Sequence, residues 1–396
     1  MKIGIDISQI VYGTGVSFYT KNLVENLLKI DQENEYTLFF SSLRQSLEKS
    51  QELRVKREEL GERRQESALS TQNSELRTFR IPPSLLEPLW NKWHILPIEN
   101  FIGSIDVFHS SDWTQPPTKA AKVTTIHDFG FIKYPKTAHP KIKAVMSRRF
   151  KWIKREVDLI IAISEATKKD IIEILGIPEE KIRVVYEATP TDINRIEDQK
   201  VIDKVKKKFG IKGDYLLTVA TLEPRKNLKK IIEAFSKLRT QNSSLRLVIV
   251  GKPGWGDMSE EIGDGRQETG VRGLESGVIF TGYVSREELS SLYSGASCFV
   301  FPSLYEGFGL PILEAMKCGC PVVTSNLSSM PEVAGEAGIL VNPLDVKGIA
   351  RGINEVIGDK ERRESLIKKG FEQAKKFSWE KTAKETLRIY HEVIEK

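Results

Sequence analysis

Residues 298–325 read CFVFPSLYEGFGLPILEAMKCGCPVVTS, and they contain the clearest signal of the chain's architecture. The apolar run Cys298–Pro302 predicts a buried strand, and Val322–Thr324 predicts another. Between them, Pro311–Lys317 predicts a helix, with proline at its first position, where it is favoured. A strand, a helix and a second strand in this order indicate a parallel β-α-β unit.

Apolar strand-like runs alternate with helical patterns along most of the chain, which is typical of parallel sheets with crossover helices. A first series of strands is predicted at Lys2–Ile7, Tyr36–Phe40, Arg77–Ile81, Val107–Ser110, Val123–His127, Leu159–Ser164 and Arg183–Tyr186. A second series is predicted at Tyr215–Ala220, Leu245–Val250, Val278–Thr281, Cys298–Pro302, Val322–Thr324 and Gly338–Val341. A charged stretch from Pro190 to about Lys207, in which no strand is predicted, separates them. The pattern predicts an α/β protein with two Rossmann-like domains facing each other.

Length and composition agree with two domains, because 396 residues exceed what one ordinary core holds. No run of eighteen apolar residues occurs, and the start MKIGIDIS predicts a strand rather than a secretory leader, so a cytoplasmic protein is expected. The cysteines, Cys298, Cys318 and Cys320, lie in or beside apolar segments and lack metal-binding spacing. A net charge of +6 indicates ordinary solubility or attraction to phosphates or an anionic membrane. Neither a bound metal nor a nucleic-acid partner is expected.

The loop between strand and helix carries the strongest chemical signal. Gly307 and Gly309 allow a ligand to approach the backbone closely, and the helix start offers free N–H groups to an anion. Glu306 precedes the helix, and we expect Glu314 in its first turn. The alternative is that Glu314 only complements the helix dipole and Glu306 is a solvated loop residue.

Two adjacent cations, Arg225 and Lys226, follow the strand Tyr215–Ala220. They suit a diphosphate leaving group, whose charge grows in the transition state, so that no metal is required. Lys230, one turn further on, is a weaker candidate. The alternative, two solvated cations at a helix start, would place them against the helix dipole.

Three further features lie at strand ends in the first half. Gly13-Thr14-Gly15 opens the first helix, although it matches neither a dinucleotide fingerprint nor a phosphate-binding P-loop. His127 follows an apolar strand, and a histidine there is often structural. Ser164 is predicted to cap a helix.

The sequence resembles the family-4 retaining glycosyltransferases of GT-B fold. The resemblance is carried by residues 303–325, with two glutamates separated by seven residues, by Pro331–Gly335 and by Gly338–Pro343. It extends over nearly the whole chain and is strongest from Tyr215 to Asn342. It implies a GT-B fold: parallel sheets facing across a cleft, and a C-terminal helix returning to the N-terminal domain. Residues 1–190 with helix 379–396 would then bind the acceptor, and 191–378 the donor.

The resemblance also implies roles for individual residues. Glu306 would contact the donor sugar, Glu314 the ribose hydroxyls, and His127 would border the sugar at the reaction centre. Together with His127 and Glu306, we assign Arg225 and Lys226 to catalysis, since Ala220-Thr221 stands where many members have Gly-Arg. The further donor-binding residues it implies are Gly13, Thr14, Gly15, Lys230, Tyr283, Val284, Phe308, Gly309 and Leu310. Asp128 and Ser164 are assigned to the acceptor side.

A sugar nucleotide is the implied donor, without a cofactor. The motif Glu223-Pro-Arg-Lys-Asn227 resembles bacterial mannosyltransferases of polysaccharide assembly, which favours GDP-mannose first and a UDP-sugar second. The acceptor would be a glycan or a lipid-linked molecule. The family is thought to attack from the front side, with a donor phosphate oxygen taking the acceptor proton, so the protein positions and stabilises charge.

Two stretches suggest a peripheral membrane contact. Pro140–Val157 carries apolar and basic faces, and Leu85–Leu96 places Trp90 and Trp93 near Lys92. The alternative is that these are ordinary surface helices that pack inward. The charged stretch Arg44–Ser74 is predicted to be a solvated helix or disordered insertion, and Asp257–Glu275 a mobile loop.

Three other functions remain as alternatives. A sugar-nucleotide epimerase of the same fold would act on the donor alone. A dinucleotide-dependent dehydrogenase is disfavoured, because no glycine fingerprint follows the first strand. A non-catalytic sugar-binding module would not need both glutamates and both cations.

Overall fold

The computed structural model describes residues 1–43, 69, 72–135, 138–252 and 277–395. The predicted charged insertion at 44–74 lies outside these residues except for 69 and 72–74, and the predicted loop at 257–275 lies outside them entirely.

The chain folds into two compact units. The first comprises Met1–His127, Pro140–Glu187 and Ser378–Lys396, and the second comprises Asp128–His139 and Ala188–Phe377. The division at Glu187 lies three residues before the predicted boundary at 190, and the C-terminal helix belongs to the first unit. Asp128–His139, which was expected in the N-terminal domain, instead packs with the second unit.

Within the described residues, the first unit contains one parallel sheet in the order β3-β2-β1-β4-β5-β6-β7. Its strands are β1 (Lys2–Asp6), β2 (Glu35–Ser41), β3 (Ser74–Phe79), β4 (Val107–Ser110), β5 (Ala121–Ile126), β6 (Leu159–Ala162) and β7 (Ile182–Val184). Its α-helices are α1 (Gly15–Ile30), α2 (Pro83–Glu87), α3 (Glu99–Ile102), α5 (Pro140–Glu156), α6 (Glu165–Asp170) and α14 (Trp379–Glu395). π-Helical turns extend α2 through Pro88–Trp93 and α6 through Ile171–Leu175.

The second unit contains another parallel sheet, in the order β10-β9-β8-β11-β12-β13. Its strands are β8 (Tyr215–Val219), β9 (Arg246–Val250), β10 (Val278–Gly282), β11 (Cys298–Phe301), β12 (Val322–Ser325) and β13 (Gly338–Val341). Its α-helices are α4 (Gly130–Lys133), α7 (Gln199–Lys208), α8 (Leu228–Arg239), α9 (Arg286–Gly295), α10 (Leu310–Lys317), α11 (Met330–Ala334), α12 (Val346–Gly358) and α13 (Lys360–Lys375).

Nearly continuous apolar runs form these strands because helices cover both faces of a parallel sheet. In the second unit, Leu216, Leu247 and Val300 are fully buried, and Phe235 and Ile353 pack into the same core from helices. Cys298 belongs to this core, and Cys318 and Cys320 are also buried thiols without a disulfide. Burial raises the pKa of the Cys318 thiol to about 12, so the cysteines behave as small apolar residues.

Each sheet has one point at which the order of its strands reverses. In the first unit this point lies between β1 and β4, and in the second between β8 and β11. Ligands of open α/β sheets bind beyond the carboxyl ends of the strands at such a point. The segments that follow β1, β4, β8 and β11 are therefore where a site is expected.

The stretch 190–207 contains no strand, as predicted, and its second half is helical, because Asp198 caps α7 and its Ile202 and Val205 are buried. The two stretches considered for a membrane contact largely pack inward, as in the alternative interpretation. Trp90 lies in a core cluster with Phe39 and Phe108, and Val145, Met146 and Ile153 of α5 are buried.

Candidate active site

The loop after β11 begins the candidate site of the second unit. Gly309 caps α10 with a φ of 106°, a left-handed conformation that favours glycine, and an added Cβ would lie 3.2 Å from Cδ1 of Ile312. The helix starts at Leu310, so Pro311 is its second residue and Glu314 its fifth. Glu314 therefore lies in the second turn, and the predicted position in the first turn is wrong.

Two serines hold the carbonyl groups of this loop. Ser328 and Ser329 both donate hydrogen bonds to the carbonyl oxygen of Glu306, over 2.6 and 2.9 Å. The hydroxyl oxygen of Ser329 also lies 2.6 Å from the carbonyl oxygen of Phe308, so its one proton is shared between the two carbonyls. With these carbonyls held on one side, the loop is fixed in one conformation. Sequence reasoning missed both serines, since no local pattern links them to a loop more than twenty residues earlier.

Glu306 pairs with both of the cations predicted from the sequence. Its Oε1 lies 2.6 Å from Nζ of Lys226, and its Oε2 lies 3.1 Å from Nη1 of Arg225. Arg225 also contacts Glu223 over 2.8 Å and donates to the carbonyl of Tyr305. β8 and β11 are neighbours in the sheet, which brings their two following loops together. The predicted alternatives, two solvated cations and a solvated Glu306, are wrong, since these side chains are largely buried.

Asn227 joins the cation-bearing segment to its surroundings. It adopts a left-handed conformation with a φ of 61° between the 3₁₀ turn Pro224–Lys226 and α8. Its side-chain amide donates to the carbonyl of Pro302 over 3.0 Å and to that of Pro343 over 2.7 Å. The amide therefore fixes Lys226 relative to the end of β11. Asparagine tolerates this conformation better than most residues, a signal that was present in the sequence but unused.

The second glutamate has a different environment. Oε2 of Glu314 accepts a hydrogen bond from the hydroxyl of Tyr293 over 3.0 Å, and Oε1 lies 3.4 Å from Nη1 of Arg286. Burial raises the pKa of Glu314, and the contacts with Arg286 and Tyr293 only partly offset it. Burial also acts to raise the pKa of Glu306, but the charges of Lys226 and Arg225 outweigh it and the pKa is lowered. Glu306 is therefore the more firmly ionised acceptor.

The other predicted donor residues of the second unit are more dispersed. Lys230 in α8 pairs with Glu233 over 3.0 Å rather than with Glu306. Tyr283 is 72% exposed at the end of β10, with Nζ of Lys252 4.5 Å from its ring centroid, whereas Val284 beside it is buried. Phe308 and Leu310 flank Gly309 at the start of α10, where the first N–H groups of a helix lack intrahelical partners.

In the first unit, the predicted glycine loop begins α1. Gly13 has a φ of 63°, and Thr14 caps the helix in a reciprocal arrangement with Ser17. Gly13, Thr14 and Gly15 are all exposed. The loop thus presents backbone to solvent at the carboxyl end of β1.

His127 follows β5 and is held by an acid that sequence reasoning missed. Its Nδ1 lies 3.0 Å from Oε1 of Glu187, and Tyr19 packs edge-on against its ring with centroids 4.7 Å apart. Burial acts to lower the pKa of His127, but the hydrogen bond that its ring N–H donates to Glu187 and the charges of Asp112 and Glu187 outweigh it, so the pKa is raised. The contact with Glu187 orients the ring. It engages Nδ1 and not the second ring nitrogen, Nε2.

The two predicted acceptor-side residues have structural partners. Ser164 is fully buried and caps α6 by accepting a hydrogen bond from the N–H of Thr167 over 3.0 Å, so the predicted cap is present. Asp128 accepts from the N–H of Gly130 over 2.8 Å and belongs to the second unit, where its charge helps to raise the pKa of Arg225.

No group of three or more His, Cys, Asp or Glu side chains within the described ranges is arranged to hold a metal ion. In the same residues, no helix is long and apolar enough to cross a membrane. Chemically, the second unit offers buried cations beside an ionised carboxylate at the strand-order reversal. Such a cluster can bind and stabilise a polar, negatively charged ligand.

Comparison with known proteins identifies the family. Residues 13–193 match the family described as Glycosyltransferase Family 4, and residues 201–373 match Glycosyl transferases group 1. The O-antigen chain mannosyltransferase B of Escherichia coli is 31% identical over 95% of this chain and 96% of its own length. The serotype-specific mannosyltransferase WbdA of the same species is 34% identical over 57% of this chain, an alignment that covers 28% of WbdA.

The fold is shared with a solved structure at lower identity. HepE of Anabaena, in complex with UDP-glucose, has a TM-score of 0.68 and 18% identity, covering 99% of this chain and 100% of that one. The chain therefore belongs to glycosyltransferase family 4: it is a retaining, metal-independent glycosyltransferase of GT-B fold that uses a nucleotide-sugar donor.

Proposed function

We propose that this enzyme transfers mannose from GDP-mannose to a glycan acceptor in polysaccharide assembly. The main support for a donor site here is the largely buried cluster of Arg225, Lys226 and Glu306, which lies where the strand order reverses. Full-length similarity to a protein named as an O-antigen mannosyltransferase supports mannose as the sugar.

In this proposal the donor is bound by the second unit. Lys226 and Arg225 stabilise the diphosphate, and the ammonium of Lys226 has donors beyond the one that Glu306 uses. Glu306 accepts hydrogen bonds from the sugar, a role that suits its lowered pKa. Glu314 accepts from the ribose, and the start of α10 faces the phosphates. The chain thus supplies positioning and charge stabilisation rather than a nucleophile.

His127 of the first unit is proposed to take part in the transfer reaction, and the Gly13–Gly15 loop to contact the diphosphate. Glu187 supports the first assignment, because it orients the imidazole through Nδ1. A side chain that positions a reacting group does so more effectively when its own orientation is fixed.

A thermal-shift panel tests the donor. It compares GDP, UDP, ADP, dTDP, their common sugar conjugates and NAD, with EDTA present. Ligand at about a hundred times its dissociation constant adds roughly 2.7 kcal/mol of stability. We expect a shift selective for GDP and GDP-mannose. A shift selective for UDP compounds would mean that the donor is a UDP-sugar and that the reaction class stands. A response to NAD alone would overturn the proposal.

Two conservative variants test the division of roles between the glutamates. Glu314→Gln should weaken GDP binding, whereas Glu306→Gln should spare GDP and slow transfer from GDP-mannose. Calorimetric titration with GDP and a transfer assay measure the two effects. Equal loss of GDP affinity in both variants would contradict the assignment, and full-rate epimer formation from the donor alone would favour an epimerase.

We also propose a peripheral membrane contact through Leu85, Trp93 and Ile95, each more than half exposed beside Lys92. An exposed tryptophan with neighbouring apolar side chains and a lysine suits an anionic membrane surface. Co-sedimentation with anionic vesicles should fall for Trp93→Ala and remain for Ile132→Ala, which removes an exposed apolar side chain elsewhere. Absence of binding to both anionic and neutral vesicles would refute the contact.

A further inference from the structure

Glu314 is held by two side chains of the helix before it, and sequence reasoning singled out neither of them. The hydroxyl of Tyr293 donates to Oε2 over 3.0 Å, and Nη1 of Arg286 lies 3.4 Å from Oε1. Both side chains belong to α9, which packs beside α10 in the second unit. Each carboxylate oxygen of Glu314 therefore has a partner from the same neighbouring helix.

The spacing of Arg286 and Tyr293 in α9 explains how both reach one carboxylate. Seven residues are nearly two helical turns, so the two side chains lie on the same face of the helix. Their Cα atoms are about 10 Å apart along the axis, a separation that two long side chains bridge by meeting at Glu314. The helix dipole disfavours a cation at the first position of α9, where Arg286 lies, and the contact with Glu314 offsets that cost.

Tyr293 is fully buried, so it can act on a ligand only through Glu314. Its exposed fraction is 0%, and its ring packs edge-on against Phe299 with centroids 5.4 Å apart. Burial and the charge of Glu314 raise the pKa of the Tyr293 hydroxyl well above its ordinary value, so the hydroxyl stays protonated and always donates. The orientation of the Glu314 carboxylate is therefore fixed by a donor that is closed to solvent.

The same two contacts favour the ionised form of Glu314. Burial raises the pKa of this carboxyl group, and the charge of Arg286 and the hydrogen bond from Tyr293 oppose that effect. An ionised carboxylate accepts hydrogen bonds at about four lone-pair positions, two on each oxygen. The contacts with Tyr293 and Arg286 use one position on each oxygen, which leaves one acceptor position on each.

A ribose ring matches this remaining capacity. Its 2′- and 3′-hydroxyl groups are adjacent donors, and a carboxylate with one acceptor position left on each oxygen can accept from both. A 2′-deoxyribose has only one of these donors, so one buried acceptor position would lose its water without gaining a partner. The carboxylate therefore discriminates between the two sugars only while both of its oxygens keep their orientation.

We propose that Tyr293 and Arg286 are positioning residues that hold Glu314 for both ribose hydroxyls, and that they thereby make the donor site specific for ribonucleotides over 2′-deoxyribonucleotides. The inference rests on the proposed function, in which Glu314 accepts from the ribose. It adds the two side chains that determine how strictly the sugar of the nucleotide is selected.

Calorimetric titration of the full chain tests this inference. The ligands are GDP and 2′-deoxy-GDP, with UDP and 2′-deoxy-UDP as a second pair, and the measured quantity is the ratio of the two dissociation constants within a pair. In the unaltered chain the ribonucleotide should bind about tenfold more tightly, a difference of about 1.4 kcal/mol. Tyr293→Phe and Arg286→Gln should each reduce this ratio about threefold or more, the effect of weakening one hydrogen bond.

The ratio is insensitive to a general loss of folded protein, because both ligands of a pair are titrated into the same sample. Tyr215→Phe is the matched control for Tyr293→Phe, since Tyr215 is also fully buried and its hydroxyl donates to a backbone carbonyl of α9 over 2.7 Å. Arg362→Gln is the control for Arg286→Gln and breaks an ion pair of 2.8 Å between α12 and α13. Both controls should keep the ratio of the unaltered chain.

A double substitution shows whether the effect of Tyr293 passes through Glu314. In Glu314→Gln the ratio should already be reduced, and adding Tyr293→Phe should not reduce it further. An additional reduction as large as that seen in the unaltered chain would mean that Tyr293 acts by another route, and the inference would be wrong.

Two other results would overturn the inference: equal affinity of the unaltered chain for both members of each pair, or an unchanged ratio in both Tyr293→Phe and Arg286→Gln. In either case a nucleotide still binds, and the proposed transfer reaction is untouched. If only the UDP pair binds, its ratio tests the inference and the donor base of the proposed function changes. If neither GDP nor UDP binds, the proposed function fails and the inference fails with it.

Discussion

At the scale of single residues, Glu306 in the loop after β11 and Glu314 in α10 are buried to a similar degree but held differently. Glu306 is compensated by Lys226 and Arg225, whereas Glu314 has Arg286 at 3.4 Å and the hydroxyl of Tyr293. The pKa of Glu306 is lowered and that of Glu314 is raised. The negative charge of Glu306 thus stabilises the folded protein, whereas burial of the negative charge of Glu314 destabilises it.

We expect the stability of Glu306→Gln and Glu314→Gln to differ at pH 7. Removing Glu306 leaves Lys226 buried without its partner, which costs about 3–5 kcal/mol of unfolding free energy. Replacing Glu314 removes a buried charge, so the unfolding free energy should be unchanged or slightly increased. Denaturant unfolding measures both. Glu233→Gln, which breaks the exposed pair with Lys230, is the control and should change stability by less than about 1 kcal/mol. Equal destabilisation by both active-site variants would refute this account.

The pair of His127 and Glu187 predicts a pH dependence. Because the folded pKa of His127 is raised above its ordinary value of 6.5, the folded state binds the proton more tightly than the unfolded state. The stabilisation is fully present below about pH 6.5 and is lost as the pH rises through the folded pKa. Glu187→Gln should therefore lower the pKa of His127 and remove this dependence.

Imidazole proton NMR titration, with His127→Gln for assignment, measures that pKa. The matched control is Glu156→Gln, whose carboxylate lies 2.6 Å from Nε2 of His94. It should move the titration of His94 and leave that of His127 in place. A His127 titration unaffected by Glu187→Gln would show that another group raises its pKa.

At the scale of elements, the entry to α8 depends on one side chain. Asn227 combines a φ of 61° with two hydrogen bonds that reach the segments after β11 and β13. The bonds satisfy two carbonyls and fix the cation-bearing turn to the sheet.

Asn227→Ala should destabilise the protein by about 2–4 kcal/mol, since it loses both hydrogen bonds and strains a left-handed position. Asn227→Gly removes the same bonds without the strain, so it should cost about 1 kcal/mol less. Thermal unfolding of the two variants separates the terms. An alanine variant as stable as the original chain would mean that the amide does not hold this turn.

At the scale of the whole molecule, the first unit is completed by the end of the chain. The hydroxyl of Tyr390 in α14 lies 2.6 Å from Nδ1 of the buried His109, and Thr382 donates to the carbonyl of Tyr186 over 2.7 Å. Burial lowers the pKa of His109 to about 3, so the histidine stays neutral and hydrogen-bonded. α14 also packs against α1.

A chain that ends at Phe377 should lose the cooperative folding of the first unit and keep that of the second. Hydrogen exchange should show lost amide protection in β4–β6 and retained protection in β8 and β11, because α14 belongs to the first unit alone. A chain that ends at Ile394 is the control and should keep both. Unchanged protection in β4–β6 after the longer truncation would contradict this prediction.

From the sequence alone, the α/β class, each strand that the structure describes and the candidate loop after β11 could be predicted. The periodicity of apolar residues and the positions of glycine and proline are local signals. They are strong where parallel strands are buried on both faces. The predicted and observed bounds coincide for β4 and β13, whereas β3 begins three residues and ends two residues earlier than predicted. β3 lies at the edge of its sheet, so less of it is buried and its pattern is weaker.

Which distant side chains meet depends on the tertiary fold. Lys226 and Glu306 are 80 residues apart, and His127 and Glu187 are 60 apart. Asp128–His139 packs with the second unit rather than with its neighbours in sequence. These pairings follow from strand order, which is set by the burial of apolar surface over the whole chain. No local pattern of residues carries that information.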